Sequence, residues 1–282
     1  MHYDLIVISS AYPAMYASRY KIKNLIIAQD ALATSHKVEN YPILSSSGAD
    51  IMNNFKQHAI NSGSDILFEM VTKLEKKDEI FCITTSSKEF TSKYVILATG
   101  NKYRHLVKEK KYLKVSYCAT CDMFFKRDVV IVGNTALTEA LYLADICNKV
   151  YIVHRRDTFR AEDIWVEKAK NTPNIEMVLS EEVEEITKVF VEEIILKSKI
   201  LKADIFIAIS DPNISLVEHL LEMDDEKCLI VDSRQETSLK LYAADVTTNS
   251  NKFKQTIMSA AECLAANSVH EDLIRNDKNI KK

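Results

Sequence analysis

Glycine is what this sequence has least of. There are four in 282 residues, Gly48, Gly63, Gly100 and Gly133, where ordinary usage would give about 20. Backbone positions that need φ > 0, or that lie close against a ligand, must be met by other residues or abandoned. Long apolar runs are also missing. None approaches the ~20 residues of a membrane-spanning helix, so no membrane association is expected. The net charge is only −3, which gives no electrostatic reason to expect nucleic acid. The chain enters the strand-like Asp4-Leu5-Ile6-Val7-Ile8 almost at once, and no signal peptide is expected before it.

What the sequence does have is Tyr117-Cys118-Ala119-Thr120-Cys121-Asp122. Two cysteines three apart can close and open a disulfide, one thiol held as thiolate while the other resolves the mixed disulfide. Asp122 is placed to protonate a leaving thiolate. A lone Cys-x-x-Cys also looks like half a zinc site. Cys82, Cys147, Cys228 and Cys263 are scattered, however, and there is neither a His-x-x-x-His nor a second Cys-x-x-Cys. No metal is expected. The redox reading needs a reducing compartment, and the cytoplasm is the simplest one.

The length suits two domains. Asp4–Ile8, a turn, a short helix to about Tyr20 and the strand Asn24–Ala28 form a compact βαβ whose turn holds no glycine. A helix is expected over 49–61, antiparallel strands over Ile66–Thr72 and Glu79–Ser86, and a central strand at Tyr94–Gly100. A second βαβ runs through Val129–Val132, the helix Thr135–Cys147 and Lys149–Val153, and ends in His154-Arg155-Arg156 with Arg160 beyond. The end of the second strand is where an acid meets the ribose 2′-OH of NAD, or arginine the 2′-phosphate of NADP. An exposed basic loop is the plainer reading of the same residues. Further strands are expected at Asp204–Ile209, Cys228–Asp232 and Leu241–Val246, with a turn at Asp211–Asn213. Thr256–Ala266 is a final helix, and the tail from Asn276 is expected to be disordered.

These residues resemble the bacterial-type, low-molecular-weight thioredoxin reductases, over about Tyr3 to Val269. The resemblance rests on Val115 to Asp122 with Phe124-Phe125, on Asn134-Thr135-Ala136 with Glu139-Ala140-Leu141, and on His154-Arg155-Arg156-Asp157 with Phe159-Arg160. Val38-Glu39-Asn40-Tyr41-Pro42, Ala98-Thr99-Gly100, Ala244-Asp245-Val246 and Gln255 follow in family order.

The resemblance implies an α/β fold of two Rossmann-like three-layer ββα nucleotide-binding domains, one inserted in the other. The FAD-binding type would span 1–113 and 232–282, and the NADPH-binding type, carrying the cysteines, 114–231. FAD would meet Ser10, Tyr12, Pro13, Ala14, Asn40, Thr99, Gly100, Asp245, Val246 and Gln255. NADPH would meet Gly133, Asn134, Thr135, Ala136, His154, Arg155, Arg156 and Arg160. Electrons would pass from NADPH through FAD to Cys118–Cys121 and on to a thioredoxin, in a homodimer, with Asp122 as the acid.

The departures are serious: the family's Gly-x-Gly-x-x-Ala turn in the NADPH domain is reduced to Gly133-Asn134-Thr135-Ala136, about two residues short, and its late Gly-Asp is Ala244-Asp245. The family's Gly-x-Gly-x-x-Gly maps onto Ser10-Ala11-Tyr12-Pro13-Ala14-Met15, with all three glycines replaced. Tyr12 and Met15 are thus expected to obstruct the pyrophosphate and leave flavin occupancy weak and partial. A flavin-free relative, acting as a dithiol binding protein or inactive scaffold, is the alternative.

Overall fold

Asp4-Leu5-Ile6-Val7-Ile8 and Asn24-Leu25-Ile26-Ile27-Ala28 lack the polar-every-second-residue pattern of a half-solvated strand, and a strand buried on both faces reads this way. The computed structural model describes residues 1–28, 38–41, 44–103, 115–116, 126–133, 136–159, 161–188, 192–208, 210–249 and 255–280. Its helices are α1 (Tyr12–Arg19), α2 (Gly48–Asn61), α3 (Ala136–Ala144), α4 (Asp163–Lys170) and α5 (Gln255–Ile280). The chain divides into two units, Met1–Lys102 with Pro212–Lys282, and Tyr103–Asp211.

In the first unit the strand order is Asp65–Phe68, Asn24–Ala28, His2–Ile8, Glu89–Leu97, Ile80–Thr85, Val71–Lys77, with Tyr242–Ala243 also paired to Glu89–Leu97. The pairings around His2–Ile8 are parallel, and the last two strands form an antiparallel hairpin. Side chains alternate along the central strand. Leu5 and Val7 face Ala14 and Ala17 of α1, Ala59 of α2, and Ala265, Ala266 and Val269 of α5. Ile6 and Ile8 face the other way, toward Leu74, Phe81, Ile83, Ile214 and Val217.

The second unit repeats the scheme. Its parallel sheet runs Val115–Ser116, Asp204–Ala208, Asp128–Gly133, Lys149–His154, Ile175–Leu179. Val129 and Ile131 pack under α3 and α4. Val130 packs against Ile186, Ile194 and Leu201 of the antiparallel strands Val183–Lys188, Glu192–Leu196 and Ile200–Lys202. Helices, parallel sheet and antiparallel meander make three layers.

Several expectations are corrected. The chain returns to the first unit at Pro212 rather than 232, because Ile214, Val217 and Leu221 bury their apolar surface in that unit's core. It leaves at Lys102 rather than 113. Ile66–Thr72 is not one antiparallel strand: Asp65–Phe68 lies parallel to Asn24–Ala28, and Val71–Lys77 pairs with Ile80–Thr85. Asp211–Asn213 is not a turn, since Ser210–Pro212 is a short strand paired with Asn101–Tyr103. Cys228–Asp232 forms no continuous strand, and Leu229 alone bridges to Met223 and Thr248.

The helix α5 continues to Ile280, into the tail expected to be disordered. Asn276 Nδ2 donates to Tyr94 Oη at 2.9 Å. Arg234 and the Tyr242 hydroxyl both donate to the Asp272 carboxylate, at 2.5 and 2.6 Å. Removing the acceptor leaves a guanidinium and a hydroxyl without it. Asp272→Ala is therefore expected to lower stability by about 1–3 kcal/mol, read as an earlier chemical-denaturation midpoint. An unchanged midpoint contradicts this anchoring role.

Candidate functional site

In an open parallel sheet, ligands bind beyond the carboxyl ends of the strands, where neighbouring connections run off to opposite sides. His2–Ile8 has that position, with Asn24–Ala28 on one side and Glu89–Leu97 on the other. Just past it Ser9 adopts φ 83, a left-handed conformation that costs a side-chain-bearing residue about 1–2 kcal/mol. Ser9 N donates to Ile27 O at 2.8 Å, which ties the strained residue to the neighbouring strand. In a turn with no glycine, the glycine-like backbone is thus found at Ser9.

Tyr12 is instead the first residue of α1, with Pro13 in the first turn, where a missing N–H costs nothing. The Tyr12 ring turns to Phe55 of α2, centroids 4.7 Å apart. Met15 is buried among Ala14, Ala265, Ala266 and Val269. Both bulky replacements are absorbed by packing, Tyr12 against α2 and Met15 in the core, so the predicted obstacle does not arise from them.

Ser10, in the same turn, is engaged by a residue from α5. Ser10 Oγ accepts from Tyr12 N at 3.3 Å and donates to Glu262 Oε2 at 2.5 Å. Glu262 is only 7% exposed. Burial, and then the negative charge of Asp245, push its carboxyl well above the usual carboxylate range, while the Ser10 hydrogen bond pulls the other way. Asp245 has φ 71 and begins the 3-10 turn Asp245–Thr247 after Tyr242–Ala243. Gly100 has φ 64, and a side chain there would meet Asp245 Oδ2 at 3.4 Å. Thr99 Oγ1 donates to Asn213 O at 2.5 Å, and Asn213 N to Gly100 O at 2.8 Å. Ser10, Gly100, Asp245 and Glu262 therefore converge at one end of the sheet.

Sequence reading missed Glu262, although a signal was present. Glu262, Ala265, Ala266 and Val269 recur at helical spacing, and all four are buried. A lone acid on an alanine stripe is the clue.

In the second unit the equivalent position lies at the end of Asp128–Gly133, between Lys149–His154 and Asp204–Ala208. Gly133 has φ 152, and Ala136, the first residue of α3, is buried. His154 closes the next strand and meets Phe159 edge-on at 4.7 Å. Arg156 N donates to His154 Nδ1 at 3.3 Å. Burial, then the charges of Arg156 and Arg155, hold His154 below its usual value, so at neutral pH its ring is uncharged and can accept. Arg155 is exposed and Arg156 half-buried.

Cys118, Cys121, Asp122, Asn134, Thr135 and Arg160 lie outside the described residues. Of Asn40, Val246 and Gln255 the structure gives only the backbone, in Val38–Tyr41, in Asp245–Thr247 and at the start of α5. Among the described residues no helix is long and apolar enough to cross a membrane, and no group of His, Cys, Asp and Glu could hold a metal ion.

Two dinucleotide-binding folds, one interrupting the other, are the architecture of an oxidoreductase that handles two nucleotides. A family model described as "Pyridine nucleotide-disulphide oxidoreductase" matches residues 6–266, and the chain belongs to that family, within the branch of the bacterial-type thioredoxin reductases. It is 32% identical to a thioredoxin reductase of Mycolicibacterium smegmatis, over 94% of each chain. A protein of Pseudomonas fluorescens named glucosaminate ammonia-lyase is 33% identical over 90% of this chain and 89% of its own. The solved thioredoxin reductase of Lactococcus lactis superposes with a TM-score of 0.89 at 25% identity, covering 97% of this chain and 99% of that one.

Proposed function

We propose that the chain is an NADPH-dependent thioredoxin-disulfide reductase. The observation that carries this is the Cys118-Ala119-Thr120-Cys121-Asp122 run, in a chain similar to a thioredoxin reductase along 94% of its length. The net reaction takes a hydride from NADPH and a proton from solvent, breaks the partner's S–S bond and leaves two thiols and NADP⁺. Cys118 attacks the partner disulfide, Cys121 resolves the mixed disulfide, and Asp122 gives a proton to the departing thiolate. The partner is a small thioredoxin-like protein, and the enzyme works as a homodimer in the cytoplasm.

In the second unit the residues suit NADPH. Gly133 lets backbone approach a pyrophosphate, Asn134 and Thr135 follow it in sequence, and Ala136 opens α3, whose dipole favours an anion. Arg155, Arg156 and Arg160 offer planar forks to a 2′-phosphate, beside an uncharged His154. The first unit would hold FAD, which when bound supplies a two-electron relay between nicotinamide and disulfide. There Thr99, Gly100, Asp245 and Gln255 would border the cofactor, while the Ser10 hydroxyl of the first turn is already engaged by Glu262.

The test is NADPH oxidation by the purified protein with excess FAD and an oxidised thioredoxin. Consumption of NADPH matched one-for-one by partner disulfide reduced supports the reading. Ammonia release from an amino-sugar acid, with no disulfide reduced, overturns it in favour of a lyase.

A further inference from the structure

Taking the first unit as the flavin unit, we propose that Glu262 is a built-in occupant of its pyrophosphate seat, so that FAD binds only by displacing this side chain. The seat is defined by the end of His2–Ile8 and the N-terminus of α1, where the helix dipole favours an anion. The first turn of α1 contributes no acid of its own, and its N-cap Ala11 makes no side-chain hydrogen bond. Both deficits are met from α5. Glu262, 252 residues from Ser10 in sequence, accepts a hydrogen bond from the Ser10 hydroxyl, while the Ser10 oxygen accepts one from Tyr12 N.

A pyrophosphate at this helix end would compete with Glu262 for the Ser10 hydroxyl and for the positive end of α1. Asp245 adds a carboxylate whose negative charge, after burial, favours the protonated form of Glu262. Its Oδ2 lies against Gly100 at the neighbouring strand end. The alanines around Glu262 on α5 are buried against α1 and the sheet, so displacement requires a rotamer change of a buried side chain. Nothing in this depends on the bulk of Tyr12 or Met15, which pack elsewhere.

The experiment is FAD binding by isothermal titration to the wild type, Glu262→Ala and Glu262→Gln, with thermal melts to establish folding. Riboflavin, which has no phosphate, serves as the control ligand. Glu262→Ala is expected to bind FAD about ten- to a hundredfold tighter than wild type, with riboflavin unaffected. Glu262→Gln matching that gain assigns the obstruction to charge, and a gain in Glu262→Ala alone assigns it to volume; both support occupancy. Equal FAD affinity in wild type and a folded variant overturns it. Should neither variant fold, the wild type decides: stoichiometric FAD retained through gel filtration overturns the proposal, and flavin lost there but regained in excess FAD supports it. None of these readouts needs turnover. A wild type that retains stoichiometric FAD through gel filtration and reduces thioredoxin overturns the occupant and leaves the reductase standing. Conversely, tighter FAD in Glu262→Ala with no disulfide reduced by any form supports the occupant and counts against the reductase.

Discussion

Cys118→Ser and Cys121→Ser are each expected to abolish NADPH-dependent reduction of a protein disulfide, by about three orders of magnitude or more. The two losses should differ in kind. A serine at 121 leaves an attacking thiol without its resolving partner, so Cys118 should become trapped in a mixed disulfide with the oxidised partner. A serine at 118 removes the attack, and no such adduct should form. Intact-protein mass spectrometry after mixing with oxidised thioredoxin separates the two. Adducts on both variants, or on neither, contradict the assigned order. Asp122→Asn keeps both sulfurs and should slow turnover by about 10²–10⁴, the usual cost of a lost acid–base group.

Replacing Arg155 and Arg156 together by alanine should weaken NADPH by about 10²–10³ and leave NADH nearly unchanged. The reason is chemical selectivity. A guanidinium pair meets a phosphate dianion with charge-assisted hydrogen bonds worth about 1.5–3 kcal/mol each, and NADH offers only a hydroxyl there. No carboxylate ends the strand Lys149–His154 to hold that hydroxyl. Equal titration of both nicotinamides by the wild type would remove the arginines from cofactor selection. So would unaltered NADPH affinity in the double variant.

Much of the fold was legible because burial on both faces leaves an unmistakable mark. Asn24–Ala28 was read to the residue, and the two βαβ units followed from apolar runs separated by helical spacing. The strand at 66–72 was misread because an edge strand and a hairpin strand adjoin there with only Glu69 and Met70 between them. The domain boundary at 212 was missed for a different reason. Ile214, Val217 and Leu221 have helical spacing, and nothing local says which of two cores they enter.

The candidate site divides in the same way. Arg155 and Arg156 were visible because their meaning depends on the strand immediately before them. Glu262 was not, because its partner is Ser10, at the far end of the chain. The loss of glycine was plain in composition, yet composition cannot say where strain settles. Within the candidate site it settles on Ser9 and Asp245, at φ 83 and 71. Tyr12 kept helical backbone by starting α1 one residue after Ala11.

The central claim, that nicotinamide electrons reach the cysteine pair, is tested most directly by thiol mapping. The oxidised protein is held anaerobically with excess FAD, treated with NADPH or NADH, alkylated and digested. The account predicts two new alkylated thiols per chain with NADPH, on Cys118 and Cys121, and few or none with NADH at the same concentration. A Cys118–Cys121 disulfide that stays closed under NADPH at full flavin occupancy, or thiols already open before it is added and stable to mild oxidation, would contradict it.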